Sequence, residues 1–207
     1  MLLNLAMEPI VLASSSLRRR ELLTALSIPF LPLDPDIDET VFDHLEPSLR
    51  VQKLAASKAK AGLSLLARQE GVHPRFLLAA DTLVAFRQAD GWHTIGKPIS
   101  RPEARQMLLM ESGKTQIVYT GLHILNSRTG ESYAALSSTE VTFCSMSSDE
   151  IEFYLDTEEW EGAAGAYRVQ GIGSLFISSI VGSWSGVVGL PIHELYGILK
   201  AAKYDFK

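Results

Sequence analysis

The sequence has very little cysteine, no excess of positive charge and no long apolar run, and each shortage excludes a class of protein. Cys144 is the only cysteine among 207 residues, which excludes an internal disulfide, a cysteine zinc site and a redox pair. With 19 basic and 24 acidic residues, the formal charge of -5 gives no overall basic field for a DNA or RNA polymer. No stretch reaches the roughly 18 to 20 apolar residues that a membrane-spanning helix needs.

Targeting signals and common catalytic motifs are missing as well. The apolar N-terminus lacks a basic start and is interrupted by Glu8 and Pro9, so we expect no signal peptide and a cytoplasmic location. The motifs of P-loop, dinucleotide-binding, zincin and α/β-hydrolase proteins are absent, and the five histidines never stand at metal-ligand spacing. In GSWSG, Trp184 occupies the place of a nucleophilic serine, and we interpret this segment as a turn.

Strand-like and helix-like patterns alternate along the chain, which predicts the α/β class with a mixed sheet flanked by helices. At about 150 residues per domain, the length favours one domain, residues 1–207. Ser100 with Glu103 and Ser147 with Glu150 form capping boxes that open two helices. We predict strands over 10–13, 76–86, 92–95, 115–125, 132–143 and 175–180, and helices after 14–16, over 47–68, after 100, over 147–155 and from 191.

The segment ASSSLRRRELL follows the first predicted strand and opens a helix. Backbone N–H groups and the hydroxyls of Ser14 and Ser16 then converge where an anion such as phosphate binds. A positive charge in the first turn of a helix is mildly unfavourable, so an anionic ligand would explain at least one of Arg18, Arg19 and Arg20. The alternative is a capped helix with a solvated basic face.

Lys58 falls within the apolar stripe of the next predicted helix, whereas Lys53 and Lys60 lie on its opposite face. A lysine directed toward the core either meets an anion or extends its ammonium group to the surface. Gly62, one turn later, suggests room for a bulky group nearby. We favour a functional lysine over an extended one.

Asp81 and Thr82 interrupt the otherwise apolar segment FLLAADTLVAF. An unpaired buried carboxylate costs several kcal/mol, so Asp81 should meet a cation, a metal ion or a cleft. A hairpin about residues 88–91 pairs Arg87 with Trp92, and extending that register places Lys97 opposite Thr82. A structural ion pair at a strand end is the alternative.

The acidic segment DPDIDET contributes Glu39 and three aspartates without the spacing of an EF-hand loop. Acidic loops are usually only solvated. Together with Arg18, Lys58, Asp81 and Lys97, however, it completes a set suited to hydrolysis of phosphate esters: carboxylates for Mg²⁺, cations for phosphate oxygens and one carboxylate to activate water.

These blocks in this order resemble the Maf family of nucleoside triphosphate pyrophosphatases, also described as septum formation inhibitors. The resemblance runs almost end to end, and Leu17 replaces the family's usual proline. The blocks are IVLASSSLRRRELL, DIDET, LAASKAKAG, AADTLVAF, GKP, EGAAGAYRVQGIG and VVGLP. The resemblance implies an elongated α/β fold related to inosine triphosphate pyrophosphatases, with two lobes around a central cleft. Members of the family are often dimers. A homodimer is therefore left open here.

The resemblance also implies a reaction and roles for residues. It implies that a nucleoside triphosphate is cleaved between its α and β phosphates with a divalent cation, Mg²⁺ or Mn²⁺, and that Asp81 activates water. Glu39 and Asp81 would hold the metal ion. Arg18, Lys58 and Lys97 match positions assigned to substrate or catalysis.

Specificity follows from the same resemblance. The dTTP/UTP branch of the family carries an arginine, a threonine and a glutamine at positions matched here by Arg18, Thr82 and Gln170, whereas the 7-methyl-GTP branch differs at the last two. We therefore expect a dTTP and UTP pyrophosphatase that also takes modified pyrimidine triphosphates. The alternatives are the same reaction on a modified purine, and a nucleotide-binding regulator of septum formation without turnover.

Overall fold

The computed structural model describes residues 7–71 and 73–206, so residues 1–6, part of the segment expected to hold no signal peptide, lie outside it. The strands are β1 Ile10–Ala13, β2 Phe30–Leu33, β3 Phe76–Gln88, β4 Gly91–Ile95, β5 Thr115–Asn126, β6 Ser132–Phe143 and β7 Ile177–Val181. The helices are α1 Leu17–Ala25, α2 Pro47–Leu66, α3 Arg101–Glu111, α4 Ser148–Asp156, α5 Trp184–Val188 and α6 Ile192–Ala201. Within this part of the chain, no helix is both long and apolar enough to cross a membrane.

The strands form one mixed sheet in the order β2-β1-β3-β5-β6-β7, with β4 paired to β3. β1 runs parallel to β2 and β3, whereas the remaining neighbours are antiparallel. The β3–β4 hairpin has the predicted register, with Arg87 opposite Trp92. The predicted α/β class, a mixed sheet flanked by helices, is confirmed.

A gap along one edge of β3 positions the functional residues. β5 accompanies the other edge over most of its length. On the open edge, β1 pairs only with Leu77 and Leu78, and β4 pairs only from Val84 onward. In the described pairing, residues 79–83 have no strand beside them on this edge, and β1 ends there. Crevices at the carboxyl ends of strands are where α/β proteins bind ligands.

Helix α2 packs closely on one face of the sheet. A β-carbon at Gly121 of β5 would lie 2.6 Å from the carbonyl oxygen of Val51, so only glycine permits this approach. The predicted free space beside Gly62 was wrong, because a β-carbon there would meet Leu77 Cδ1 at 3.0 Å. Gly62 instead lets the helix lie tight against the sheet, and this brings Lys58 to β3.

Asp81 and Thr82 are neighbours on β3 and therefore point to opposite faces of the sheet. On the face that Asp81 shares, Leu77 packs with residues of α2. On the other face, Leu78 packs with residues of α1 and α6. The open edge of β3 is consequently reached by side chains from both layers of helices.

Three local features differ from the prediction. β2 was missed because its sequence FLPL contains Pro32, and proline is found in strands mainly at a sheet edge, where β2 lies. The predicted strand 175–180 begins only at Ile177, because Ile172–Phe176 forms a 3-10 turn. The short helix α5 begins within the GSWSG segment, with Ser183 accepting a hydrogen bond from the Gly186 N–H.

Candidate active site

Lys58 joins two carboxylates at the open edge of β3. Its Nζ lies 2.6 Å from Asp81 Oδ1 and 2.7 Å from Glu39 Oε1. Asp81 and Lys58 are largely buried, whereas Glu39 is exposed on the loop after β2. Lys58 therefore meets an anion, as the favoured interpretation of the sequence required. The alternative, in which its ammonium group extends to the surface without a partner, is excluded.

The Asp81 carboxyl lies in a strongly perturbed electrostatic environment. Burial raises its pKa, the charge of Lys58 and its hydrogen bond oppose the rise, and Arg19 opposes it more weakly. Glu39 adds a smaller upward contribution. A carboxylate with a raised pKa beside fixed cations is a stronger proton acceptor than a solvated aspartate.

Arg19 organises the opposite side of the gap. Its Nη1 donates to Ser14 Oγ at 2.8 Å, its Nη2 donates to Thr82 Oγ1 at 3.1 Å, and its Nε donates to the carbonyl oxygen of Gly189 at 2.8 Å. Thr82 Oγ1 also lies 3.0 Å from Thr120 Oγ1. This buried guanidinium joins the turn after β1, the middle of β3 and the end of α5.

Arg18 and Arg168 bring two further positive charges to the same cleft. Burial first, and then the positive charge of Arg168, lower the pKa of Arg18, while Glu21 raises it. No salt bridge to either arginine forms within the described residues. Cations that lie near one another without salt-bridge partners favour binding of an anionic ligand.

All of the predicted site residues line one cleft with a volume of about 710 Å³. Beyond those already placed, it is lined by Ser16, Lys97 and Gln170, the last two exposed. β4 ends at Ile95, so the extrapolated pairing of Lys97 with Thr82 does not form, although Lys97 still reaches the cleft. The volume falls within the range of small-molecule sites.

The carboxylates of this cleft fit a divalent cation that also binds substrate. Lys58 Nζ contacts one oxygen of each carboxylate, Glu39 Oε1 and Asp81 Oδ1, which leaves the second oxygen of each for a metal ion. Among the described residues, no group of three or more histidine, cysteine or acidic side chains forms a complete metal cage. Mg²⁺ in nucleotide enzymes is commonly held by one or two carboxylates together with phosphate oxygens and water, and this donor set suits that mode.

Comparison with known proteins agrees with the geometry. A family model described as Maf-like protein matches residues 9–202. The chain belongs to the Maf family. It is 40% identical over 190 residues to the dTTP/UTP pyrophosphatase of Pseudoalteromonas atlantica, covering 92% of this chain and 95% of the relative. The dTTP/UTP pyrophosphatase of Desulforamulus reducens is 41% identical over 194 residues, 94% of this chain and 96% of the relative. The dTTP/UTP pyrophosphatase of Treponema denticola is 38% identical over 202 residues, which cover 96% of this chain and 98% of the relative.

Membership of the Maf family confirms the resemblance. Arg19 was identified from the sequence only as one of three arginines at a helix start, and Arg168 was missed. Arg19 precedes the apolar residues Leu22 and Leu23 of α1 by three and four positions, so it shares their buried face. The periodicity that drew attention to Lys58 would have identified it. Arg168 gave no such signal, since it stands in an irregular segment without a repeating pattern.

Proposed function

We propose that this protein hydrolyses dTTP and UTP, and modified pyrimidine triphosphates, to the nucleoside monophosphate and pyrophosphate. One observation carries the proposal: a largely buried aspartate, a second carboxylate and several cations line a single cleft of nucleotide size. The relatives that carry the name dTTP/UTP pyrophosphatase match the chain over nearly its whole length. Six cationic and six acidic side chains line the cleft, so a chain of net charge -5 would bind a polyanion here where Arg18, Lys58, Lys97 and a bound divalent cation together supply local positive charge.

Asp81 is the proposed general base. Lys58 binds its Oδ1, and we assign the other carboxylate oxygen to the attacking water. As the water oxygen forms a bond to the α-phosphorus, its proton passes to Asp81. The bond between the α-phosphorus and the bridging oxygen breaks, and pyrophosphate leaves with that electron pair. The cations Arg18, Lys58 and Lys97 would bind phosphate oxygens and stabilise the developing charge.

A divalent cation, Mg²⁺ or Mn²⁺, is the proposed cofactor. Glu39 and Asp81 would hold it, and when bound it would withdraw charge from the phosphate oxygens. Lys58 already contacts both carboxylates, so it keeps them together before substrate arrives. Removing the metal ion with EDTA is expected to abolish pyrophosphate release, and added Mg²⁺ or Mn²⁺ is expected to restore it.

Gln170 is proposed to recognise the base of the nucleotide. Its amide offers one donor and one acceptor, which match the edge of uracil or thymine. The thymine methyl is worth only about 1 kcal/mol of discrimination, so both bases are expected to be accepted. Thr82, assigned to specificity by resemblance, is engaged by Arg19 and Thr120, and we propose that it acts on specificity by fixing Arg19.

A panel of triphosphates tests the proposed function. dTTP, UTP, CTP, ATP, GTP and 7-methyl-GTP are incubated with Mg²⁺ or Mn²⁺, and pyrophosphate and nucleoside monophosphate are measured separately. Release from dTTP and UTP in preference to the others is expected. Preferred turnover of 7-methyl-GTP would replace the pyrimidine assignment with the purine alternative. Binding of UTP without release of pyrophosphate would favour the regulator of septum formation.

Single-domain organisation over residues 1–207, the homodimer and the cytoplasmic location stay predictions. One cooperative unfolding transition is expected for a single domain. Sedimentation equilibrium distinguishes a monomer from a homodimer. Nucleoside triphosphates are intracellular metabolites, which supports the cytoplasm as the place of action, and cell fractionation tests it.

A further inference from the structure

Glu111 is a buried acid with no partner. It is the last residue of α3, its exposed fraction is 0%, and neither carboxyl oxygen has a hydrogen-bond partner in the described structure. The same residues supply no salt bridge to it. An ionised carboxylate in such a place costs many kcal/mol, so the group folds as the uncharged acid.

The groups that face Glu111 do not compensate a negative charge. Two tyrosines lie near it: Tyr154 of α4, and Tyr167, which follows the 3-10 turn Ala164–Ala166. Burial raises the pKa of both hydroxyls, and a negative charge on Glu111 would raise it further. Gln116 of β5 is neutral and donates through Nε2 to the Tyr167 hydroxyl at 2.7 Å. Burial accordingly raises the pKa of Glu111 well above its usual range, with no opposing cause.

The carboxyl group of Glu111 packs against the turn beneath the cleft. A β-carbon at Gly165 would lie 2.7 Å from Glu111 Oε1, so this oxygen fills the space that a side chain would occupy. Gly165 also has a φ of 74°, a left-handed backbone conformation that favours glycine independently of the space available. The acid and the turn are therefore in close contact.

That turn is connected to two segments that line the cleft. The N–H of Gly165 donates to the carbonyl oxygen of Gly96 at 3.0 Å, and Lys97 follows directly. Tyr167 itself lines the cleft, and Gln170 comes three residues later. A displacement of Gly165 and Tyr167 would therefore move Lys97, which is proposed to bind phosphate, and Gln170, which is proposed to recognise the base.

We propose that Glu111, which does not line the cleft, is a positioning residue for the proposed hydrolysis, because as an uncharged acid it fixes Gly165 and Tyr167 and through them Lys97 and Gln170. This inference rests on the proposed function of the cleft. Ionisation of Glu111 as the pH rises would draw water into the core and shift the turn. Substrate binding should then weaken, whereas the chemistry at Asp81 should change less.

Glu111→Gln is the informative variant, since glutamine has nearly the same shape and cannot ionise. Glu140→Gln, an exposed residue of β6, is the matched control. A folded-state pKa above the unfolded value gives stability that is present at low pH and is lost as pH rises through the folded pKa. Above the unfolded pKa of about 4.3, the unfolding constant of the wild type relative to Glu111→Gln should rise about tenfold per pH unit until Glu111 ionises in the folded protein.

Steady-state kinetics with UTP separate positioning from simple stability. Across the pH at which the ratio of unfolding constants stops rising, KM of the wild type is expected to rise relative to Glu111→Gln, while the kcat ratio changes little and Glu140→Gln follows the wild type. A constant KM ratio alongside diverging unfolding curves would assign Glu111 a structural role only and overturn the proposal. Parallel unfolding curves would show that the buried acid is not neutral, which overturns it as well.

Two further measurements keep the test independent of turnover and of the variant's folding. If the wild type releases no pyrophosphate from any triphosphate, the proposed function fails, and the Kd for UTP measured by calorimetry replaces KM in the same comparison. If Glu111→Gln does not fold, NMR of isotope-labelled glutamate in the wild type reports the charge of Glu111. A Glu111 signal in the ionised state at pH 7 would overturn the proposal, and a protonated one with UTP affinity falling as it titrates would support it.

Discussion

Replacing Lys58 by methionine is expected to destabilise the protein, because it leaves Asp81 buried without its nearest cation. The side chains of Lys58 and Asp81 are only 15% and 10% exposed, so their ion pair behaves as a buried one. Breaking a buried pair by removing one partner costs about 3–5 kcal/mol. Glu39 is half exposed and adds little, since exposed pairs are worth about 0–1 kcal/mol. We expect a loss of about 3 kcal/mol, because Asp81 can take up a proton and faces a cleft.

The dependence of this loss on pH follows from the charge of Asp81. Burial already raises the pKa of Asp81, and removing Lys58 takes away the main influence that opposes the rise. A raised folded-state pKa gives stability that is lost as pH increases from the unfolded pKa to the folded one. The free energy of unfolding of Lys58→Met, relative to the wild type, should therefore fall between pH 5 and pH 8.

Urea unfolding followed by tryptophan fluorescence at pH 5 and pH 8 measures the effect. Lys53→Met, on the exposed face of the same helix, is the control and should remain within about 0.5 kcal/mol of the wild type. The double variant Lys58→Met with Asp81→Asn should recover most of the lost stability, because no buried charge remains. Equal stability of the Lys58→Met and Lys53→Met variants at both pH values would refute the buried-pair reasoning.

Two further predictions concern packing and base recognition. Gly121→Ala should lower the free energy of unfolding by about 1–3 kcal/mol in urea titrations, because its β-carbon would strike the Val51 carbonyl oxygen, whereas Gly197→Ala has free space and should not destabilise. Gln170→Glu replaces an amide donor by an acceptor, so KM for UTP and dTTP should rise about tenfold, equivalent to about 1.4 kcal/mol; an unchanged KM for both would remove Gln170 from base recognition.

Much of the site could be predicted because polar residues interrupt apolar patterns there. Asp81 breaks a strand and Lys58 breaks a helical stripe, and a folded chain must satisfy such groups with one another or with a ligand. Their contact at 2.6 Å was not predictable, because it depends on the fit of α2 against the sheet. Sequence patterns describe single elements, whereas Gly62 and Gly121 act between elements.

The features that were missed do not interrupt an apolar pattern in the sequence. Arg19 stands among three consecutive arginines at a helix start, and only the burial of α1 distinguishes it from its two neighbours. Glu111 stands at the end of a helix, a place where an acid is expected to be solvated, yet the adjoining turn at Gly165 closes over it. β2 carries a proline that suppresses the strand pattern. In each case, packing by a distant segment determines what the local sequence leaves open.

The most direct test of the central claim is hydrolysis of UTP in water labelled with heavy oxygen, by the wild type and by Asp81→Asn. The wild type is expected to release pyrophosphate and to place the label in the monophosphate, because water attacks the α-phosphorus. Asp81→Asn should still bind UTP but release no pyrophosphate, while Asp90→Asn, an exposed aspartate in the β3–β4 turn, should behave as the wild type. Label found in pyrophosphate, or normal turnover by Asp81→Asn, would contradict the account.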